Sequence, residues 1–520
     1  MATVEPGRVR KGRASEFGLL VLALAIGISA YAIVSLVMEG TLPANFYLLT
    51  GGMTGLSVAL HLLVRWRAPY ADPTLVPIAV ALNGLGLAMI HRVDLGQQLK
   101  GASSELASRQ LGWTAVGMAG AVLLLFVLKD HRTLRRNTYT AMIAGLVLIL
   151  LPLVPGLGKE INGSRVWVGI GPFSLQPAEF AKIAFAVFFA GYLVSNRDTL
   201  TLAGRKLLGL QLPRSRDLGP IMVVWLVSIV IMVFEKDLGM SLLFFGLFVA
   251  MIYVATERVS WVVIGLVLVG IGAAAASTAL PHVSGRFDAW LNAFDSDIYE
   301  RTFGGSYQIV QGLFGMANGG LMGTGWGAGR PDIVPYASSD FIFAALGEEL
   351  GLTGVLAILA MYALLVQRGM RIAIGTRDGF GKLLASGLAF VIAWQCFVVI
   401  GGITRVIPLT GLTMPFLAYG GSSLLANWLI IALLVRISDN SRRPTPLPLR
   451  GTPRAAEDDE PTRRPARVPS GAASAAGAAA SAAAAAEGTA QVSGPSSSDD
   501  ATQVVGRGDD ETQIVPEPPR

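Results

Sequence analysis

Cysteine is nearly absent: the 520 residues include one, Cys396. A single thiol excludes an intramolecular disulfide framework and a thiolate zinc site. Histidine is almost as scarce. The four present (His61, His91, His131 and His282) are scattered and show no metal-ligand spacing. Charge is short too. Asp, Glu, Lys and Arg make up 15% of the chain, against ~25% in an ordinary soluble domain. With 52% hydrophobic residues and a mean hydropathy of +0.56, the chain does not divide into soluble domains of ~150 residues. Most of it is built for lipid.

Apolar runs near the ~20 residues that span a bilayer as a helix occur twelve times. They cover about 17–38, 46–64, 73–91, 110–128, 138–155, 177–195, 219–235, 238–256, 260–280, 341–366, 381–402 and 418–437. The first follows Arg8, Arg10, Lys11 and Arg13 in the manner of a signal peptide. It is too long for such a segment and more spans follow, so it reads as an uncleaved helix. The expected fold is an all-α polytopic membrane protein. Lys and Arg concentrate in alternate loops, at 65–67, 129–136, 197–216, 258 and 368–377, and again after 436. The positive-inside rule then puts both termini in the cytoplasm of a plasma-membrane protein. The net charge of +6 is therefore a topology signal, and no nucleic-acid partner is expected. Residues 1–16 form a cytoplasmic segment, 17–72 two spans, and 73–437 the remaining membrane core. Residues 438–520 are rich in Pro, Ala, Ser, Arg and acid and poor in aromatics. Such a composition cannot bury a core, so a disordered cytoplasmic tail is expected.

The opposite, external face carries three unusual loops: 156–176, the hairpin Phe234–Gly239, and the long 281–340 segment. Ionisable groups within spans are functional candidates by default. Glu179 and Lys182 lie three apart on one helix face, as a self-neutralising ion pair or as a polar wall for a phosphate-bearing substrate. Asp340, Glu348 and Glu349 fall in DFIFAALGEELG, as a helix cap and bundle contacts or as substrate groups. Asp237, between two apolar helices at the membrane boundary, is either an N-cap or a desolvated carboxylate that accepts a proton. GTGWGAGR (323–330) contains a dinucleotide-like glycine pattern but lacks the strand–helix setting that such a site needs. A backbone nest for an anion is the weaker alternative there.

QPAEFAK, EKDLG, SDFIFAALGEELG and PLTGLTMPFLAYGGSS, in this order and spacing, resemble the SEDS family, which comprises RodA, FtsW and SpoVE. The resemblance spans about 75–437, and two spans precede the family's ten-helix core, as in RodA proteins of actinobacterial type. It implies a peptidoglycan glycosyltransferase that polymerises lipid II for cell elongation and shape. It carries the essential carboxylate onto Asp237 as general base. It carries substrate-binding groups onto Glu179, Lys182, Arg165, Trp167, Gln176, Asp340 and Glu348, with Lys182 and Arg165 as cations for the leaving pyrophosphate. A divalent cation (Mg or Mn) is a further source of positive charge there, with no nucleotide. A class B penicillin-binding transpeptidase is the implied partner. The sequence departs from the family at Glu235-Lys236, where Gln-Pro is frequent. Two alternatives remain: a lipid II flippase, which needs charges spread through the bilayer, and a division-specific polymerase of FtsW type.

The tail repeats itself. DDATQVV (499–505) and DDETQIV (509–515) match at an offset of ten. Low-complexity drift is one account. The other is phosphorylation of Thr502 and Thr512 by a Ser/Thr kinase, with a forkhead-associated domain as reader.

Overall fold

The computed structural model describes residues 13–161, 164–171, 173–197, 235–302 and 304–444, with the short pieces 206–207, 210–211 and 226–227. Eleven helices among these residues are long and apolar enough to cross a membrane. They are α1 (Arg13–Glu39), α2 (Phe46–Arg67), α3 (Leu75–Leu99), α4 (Leu106–Val127), α5 (Thr138–Leu150, entered through a 3-10 turn), α6 (Ala178–Ser195), α7 (Leu238–Thr256), α8 (Ser260–Ala279), and then α12 (Ile342–Gly375), α13 (Gly379–Ile403) and α14 (Gly421–Arg442). Between α8 and α12 lie α9 (Pro281–Leu291), α10 (Ser296–Tyr299) and α11 (Tyr307–Gly319). The expected span at 219–235 lies almost wholly outside the described residues, and so do Thr502 and Thr512.

In lipid, every backbone polar group must be satisfied within the segment, which is why the apolar runs become helices. Their association then depends on close packing and small residues. α1 lies along α3, where Gly27 meets Gly84: a Cβ on Gly27 would sit 3.0 Å from the Gly84 Cα. α3, α6, α7, α13 and α14 are the buried centre of the bundle. α8 is almost entirely peripheral.

Two features differ from the expectation. The 156–176 segment is an antiparallel sheet in the order β1 (Gly158–Ile161), β2 (Ser164–Ile170), β3 (Phe173–Leu175). Its strands are short, and among their described side chains only Val166 and Val168 of β2 are buried, so no long apolar alternation announces them. α12 also runs past the expected end near 366, because its last turns carry Gln367, Arg368 and Arg371 beyond the apolar run. At Gly351 its backbone turns to φ 67°, a left-handed conformation that suits glycine.

Candidate active site

Asp237 fulfils the capping role and leaves half of its carboxylate over. It precedes Leu238, and its Oδ1 accepts the Met240 N–H at 2.9 Å. Oδ2 accepts a longer bond, 3.3 Å, from the Gln176 side-chain amide. Gln176 ends the sheet and begins α6, and its own N–H is held by the Ser422 hydroxyl at 2.8 Å. The β-sheet, α6, α7 and α14 thus meet at one point.

Below it, Glu179 and Lys182 form an ion pair at 2.5 Å, and both side chains are buried. Lys182 also donates to Gln395 Oε1 at 3.0 Å, and Gln395 donates to the Thr413 carbonyl at 2.9 Å. The pair is therefore a satisfied polar floor, one turn deep. The two alternatives for Glu179 and Lys182 are not exclusive: the ion pair exists, and Glu179 still acts electrostatically on Asp237.

Burial pushes the Asp237 carboxyl above the usual carboxylate range. The Met240 N–H, the Arg286 charge and Gln176 oppose the rise, and Glu179 adds to it. Asp340 is pushed up to about 7, chiefly by burial and further by Asp237, against the pull of Arg286 and Ser339. Asp340 does not cap α12. The cap position is Phe341, and no side chain satisfies it. Instead Asp340 faces the same surroundings as Asp237. Arg286 feels both carboxylates, while burial lowers its own pKa.

Other sequence candidates lie elsewhere. Arg165 and Trp167 stand on β2, and Arg165 is 59% exposed and paired with Glu160 at 3.2 Å. Glu348 accepts the Arg330 N–H at 2.8 Å and the Asn318 amide at 3.3 Å. Its neighbour Glu349 pairs with Arg92 at 2.8 Å and accepts the Gly327 N–H at 3.0 Å. The glycine-rich 323–330 segment does form an anion nest, and the chain's own glutamates fill it. Sequence reasoning missed Arg286, Gln395 and Ser422. Ser422 lies inside the YGGSS box, and Arg286 is a base in the long external loop; only those signals pointed to them.

Among the described residues no three His, Cys, Asp or Glu side chains converge into a metal site. Asp237 and Asp340 act on each other electrostatically, and a pair of carboxylates suits an ion that takes its other ligands from phosphate and water.

Residues 73–443 match the family FTSW_RODA_SPOVE, described as "Cell cycle protein". The chain is 48% identical over 447 residues to the "Peptidoglycan glycosyltransferase RodA" of Mycobacterium tuberculosis, covering 85% of this chain and 93% of that one. It is 34% identical over 376 residues to "Stage V sporulation protein E" of Bacillus subtilis, covering 71% and 98%. A solved structure described as "Structural coordination of polymerization and crosslinking by a peptidoglycan synthase complex" superposes with a TM-score of 0.57 at 25% identity, over 72% of this chain and 99% of that one.

Proposed function

The chain belongs to the FtsW, RodA and SpoVE family and is a peptidoglycan glycosyltransferase, and on that premise we propose that it polymerises lipid II with Asp237 as general base. The observation that carries this is the divided carboxylate. One oxygen is fixed by the helix N-terminus, and the other, among the described residues, accepts only a long bond from the Gln176 amide. A carboxylate of raised pKa in that position holds a proton better than a solvated one, which is what a base for a sugar hydroxyl needs.

The acceptor's 4-hydroxyl attacks the anomeric carbon of the lipid-linked donor. Its proton passes to Asp237 Oδ2 as the new C–O bond forms. The bond from the anomeric carbon to the diphosphate breaks, and its electron pair leaves on the diphosphate oxygen. Direct displacement inverts the α-linked donor to a β-linked glycan. Gln176 holds Asp237 in register, and Glu179 and Lys182 form the floor beneath it. Asp340, whose carboxyl burial pushes up to about 7, is placed to exchange hydrogen bonds with a sugar. Arg165 and Trp167 extend the binding surface along the sheet that leads into Gln176. Asp237 and Asp340 would hold a divalent ion, which would supply positive charge for the leaving group.

The flippase alternative requires charge spread through the bilayer. α6 carries charge only in its first turn and α7 carries none. The basic loops favour both termini in the cytoplasm and Asp237 on the external side. An elongation role is favoured over division by 48% identity to a RodA against 31% to an FtsW from Trichlorobacter lovleyi. A class B penicillin-binding transpeptidase would cross-link the strands made here, in keeping with the polymerising and cross-linking complex of similar fold. At the tail, a Ser/Thr kinase acting on Thr502 and Thr512 would create sites for a forkhead-associated reader.

The test is polymerisation of purified lipid II by the detergent-solubilised full chain, with and without the transpeptidase, comparing wild type with Asp237→Asn. Glycan from wild type alone supports the base. Glycan from both reduces Asp237 to a cap. Glycan from neither, with the transpeptidase present, favours transport.

A further inference from the structure

Arg286, on α9, is held in place and left largely unsatisfied. It is half-buried. Among the described residues its guanidinium makes one hydrogen bond, from Nη1 to the Leu409 carbonyl at 2.9 Å. A guanidinium has five N–H donors, so four have no hydrogen-bond partner among the described residues. Among the described residues no ion pair consumes its charge, although Asp237 and Asp340 both act on it.

Its position is set by the segment 409–412, which touches each part of the site. Leu409 receives Arg286. A Cβ on Gly239, two residues after Asp237, would sit 3.0 Å from the Thr410 carbonyl oxygen. A Cβ on Gly411 would sit 3.7 Å from Asp340 Oδ2. α9 is fastened to the turn just before this segment by a reciprocal clasp. Trp290 Nε1 donates to the Arg405 carbonyl at 2.9 Å. Arg405 returns bonds to the Trp290 carbonyl from Nε at 3.0 Å and from Nη2 at 2.7 Å, and one to the Leu291 carbonyl at 3.1 Å.

We propose that Arg286 receives the diphosphate of the lipid-linked donor, and the charge that collects there as the bond to the anomeric carbon breaks, with the Trp290–Arg405 clasp setting its place. The proposal rests on the glycosyltransferase reading above. A planar fork of free donors matches phosphate oxygens in a way that a lone ammonium does not. The two cations suggested by the sequence fit less well. Lys182 is fully buried and already engaged by Glu179 and Gln395. Arg165 sits in solvent against Glu160, where its charge is screened.

The experiment compares binding of undecaprenyl diphosphate and of undecaprenol, which share one tail, to the detergent-solubilised full chain, alongside lipid II polymerisation. Arg286→Met should weaken diphosphate binding on the order of 10- to 100-fold, the worth of lost charge-assisted hydrogen bonds, with undecaprenol binding unchanged. Arg286→Lys should restore part of it. Trp290→Phe, which removes the indole N–H and keeps a ring, should lower diphosphate affinity a few-fold and raise KM more than it lowers kcat. Asp237→Asn should lose turnover and, with binding measured in the absence of divalent ions, keep diphosphate affinity. Wild-type diphosphate affinity in Arg286→Met overturns the inference and leaves the base standing. Turnover in Asp237→Asn overturns the base and leaves diphosphate capture testable on its own. If Arg286→Met does not fold, Arg286→Gln, which keeps an N–H for Leu409, replaces it under the same criterion.

Discussion

Two groups of acids sit at the same end of the bundle and behave as opposites. Glu348 and Glu349 are buried, and their carboxylates are engaged by the Arg330 and Gly327 N–H groups, the Asn318 amide and Arg92. Asp237 and Asp340 flank an arginine that makes one protein hydrogen bond among the described residues. Both groups hold acid beside arginine, so residue type does not separate them. Satisfaction does. Buried polar groups are normally paired, and those left under-paired in a pocket are where chemistry is to be sought. The first group fixes the 323–330 segment, and the second keeps donors and acceptors open.

The sharpest way to break this contrast is at Asp237. Asp237→Asn keeps a capping oxygen and should cut polymerisation by ~100- to 10,000-fold, the usual worth of a general base, with an unchanged thermal midpoint in detergent. An equal loss in both would make Asp237 scaffolding like the glutamates. The converse variant is Arg92→Met. It strands Glu349 and should lower stability by roughly 3–5 kcal/mol, read as a fall in the thermal midpoint. Activity lost at an unchanged midpoint would place Arg92 with the working group.

The pH dependence sharpens the contrast further. Asp237 must be ionised to accept a proton, so kcat/KM should rise with pH through a limb above the ordinary ~3.9 of aspartate. Glu179 raises that pKa and Arg286 lowers it. Glu179→Gln should therefore move the limb to lower pH, and Arg286→Gln to higher pH. Shifts in the same direction for both variants would contradict the arrangement. The smallest effect is expected at the tail: Thr502→Ala with Thr512→Ala should leave polymerisation by the purified chain unchanged. Phosphopeptide mapping in the native cell that finds neither threonine modified would refute the tail hypothesis.

The helices were legible because lipid enforces one rule on every run, and hydropathy reads that rule directly. The sheet at 158–175 was not, since its strands are short and half-exposed. Asp237, Gln176, Glu179 and Lys182 were found through motifs, and the structure gathers them. Glu348 looked equivalent to Asp340 in the same motif, yet a turn of helix sends it to a different neighbourhood. Gln395 carries no local signal, because its meaning lies in its contact with Lys182, 213 positions away in sequence.

The bond from Ser422 to the Gln176 N–H at 2.8 Å has a consequence for biosynthesis. The residue that steadies Asp237 is made early, and the hydroxyl that steadies that residue is made almost last, 246 positions later. A chain emerging from the ribosome inserts most of its helices before the pocket is finished. Polymerising ability therefore arrives late in synthesis, once α14 docks, and chains released early would sit in the membrane inert, unable to consume the cell's supply of lipid-linked precursor.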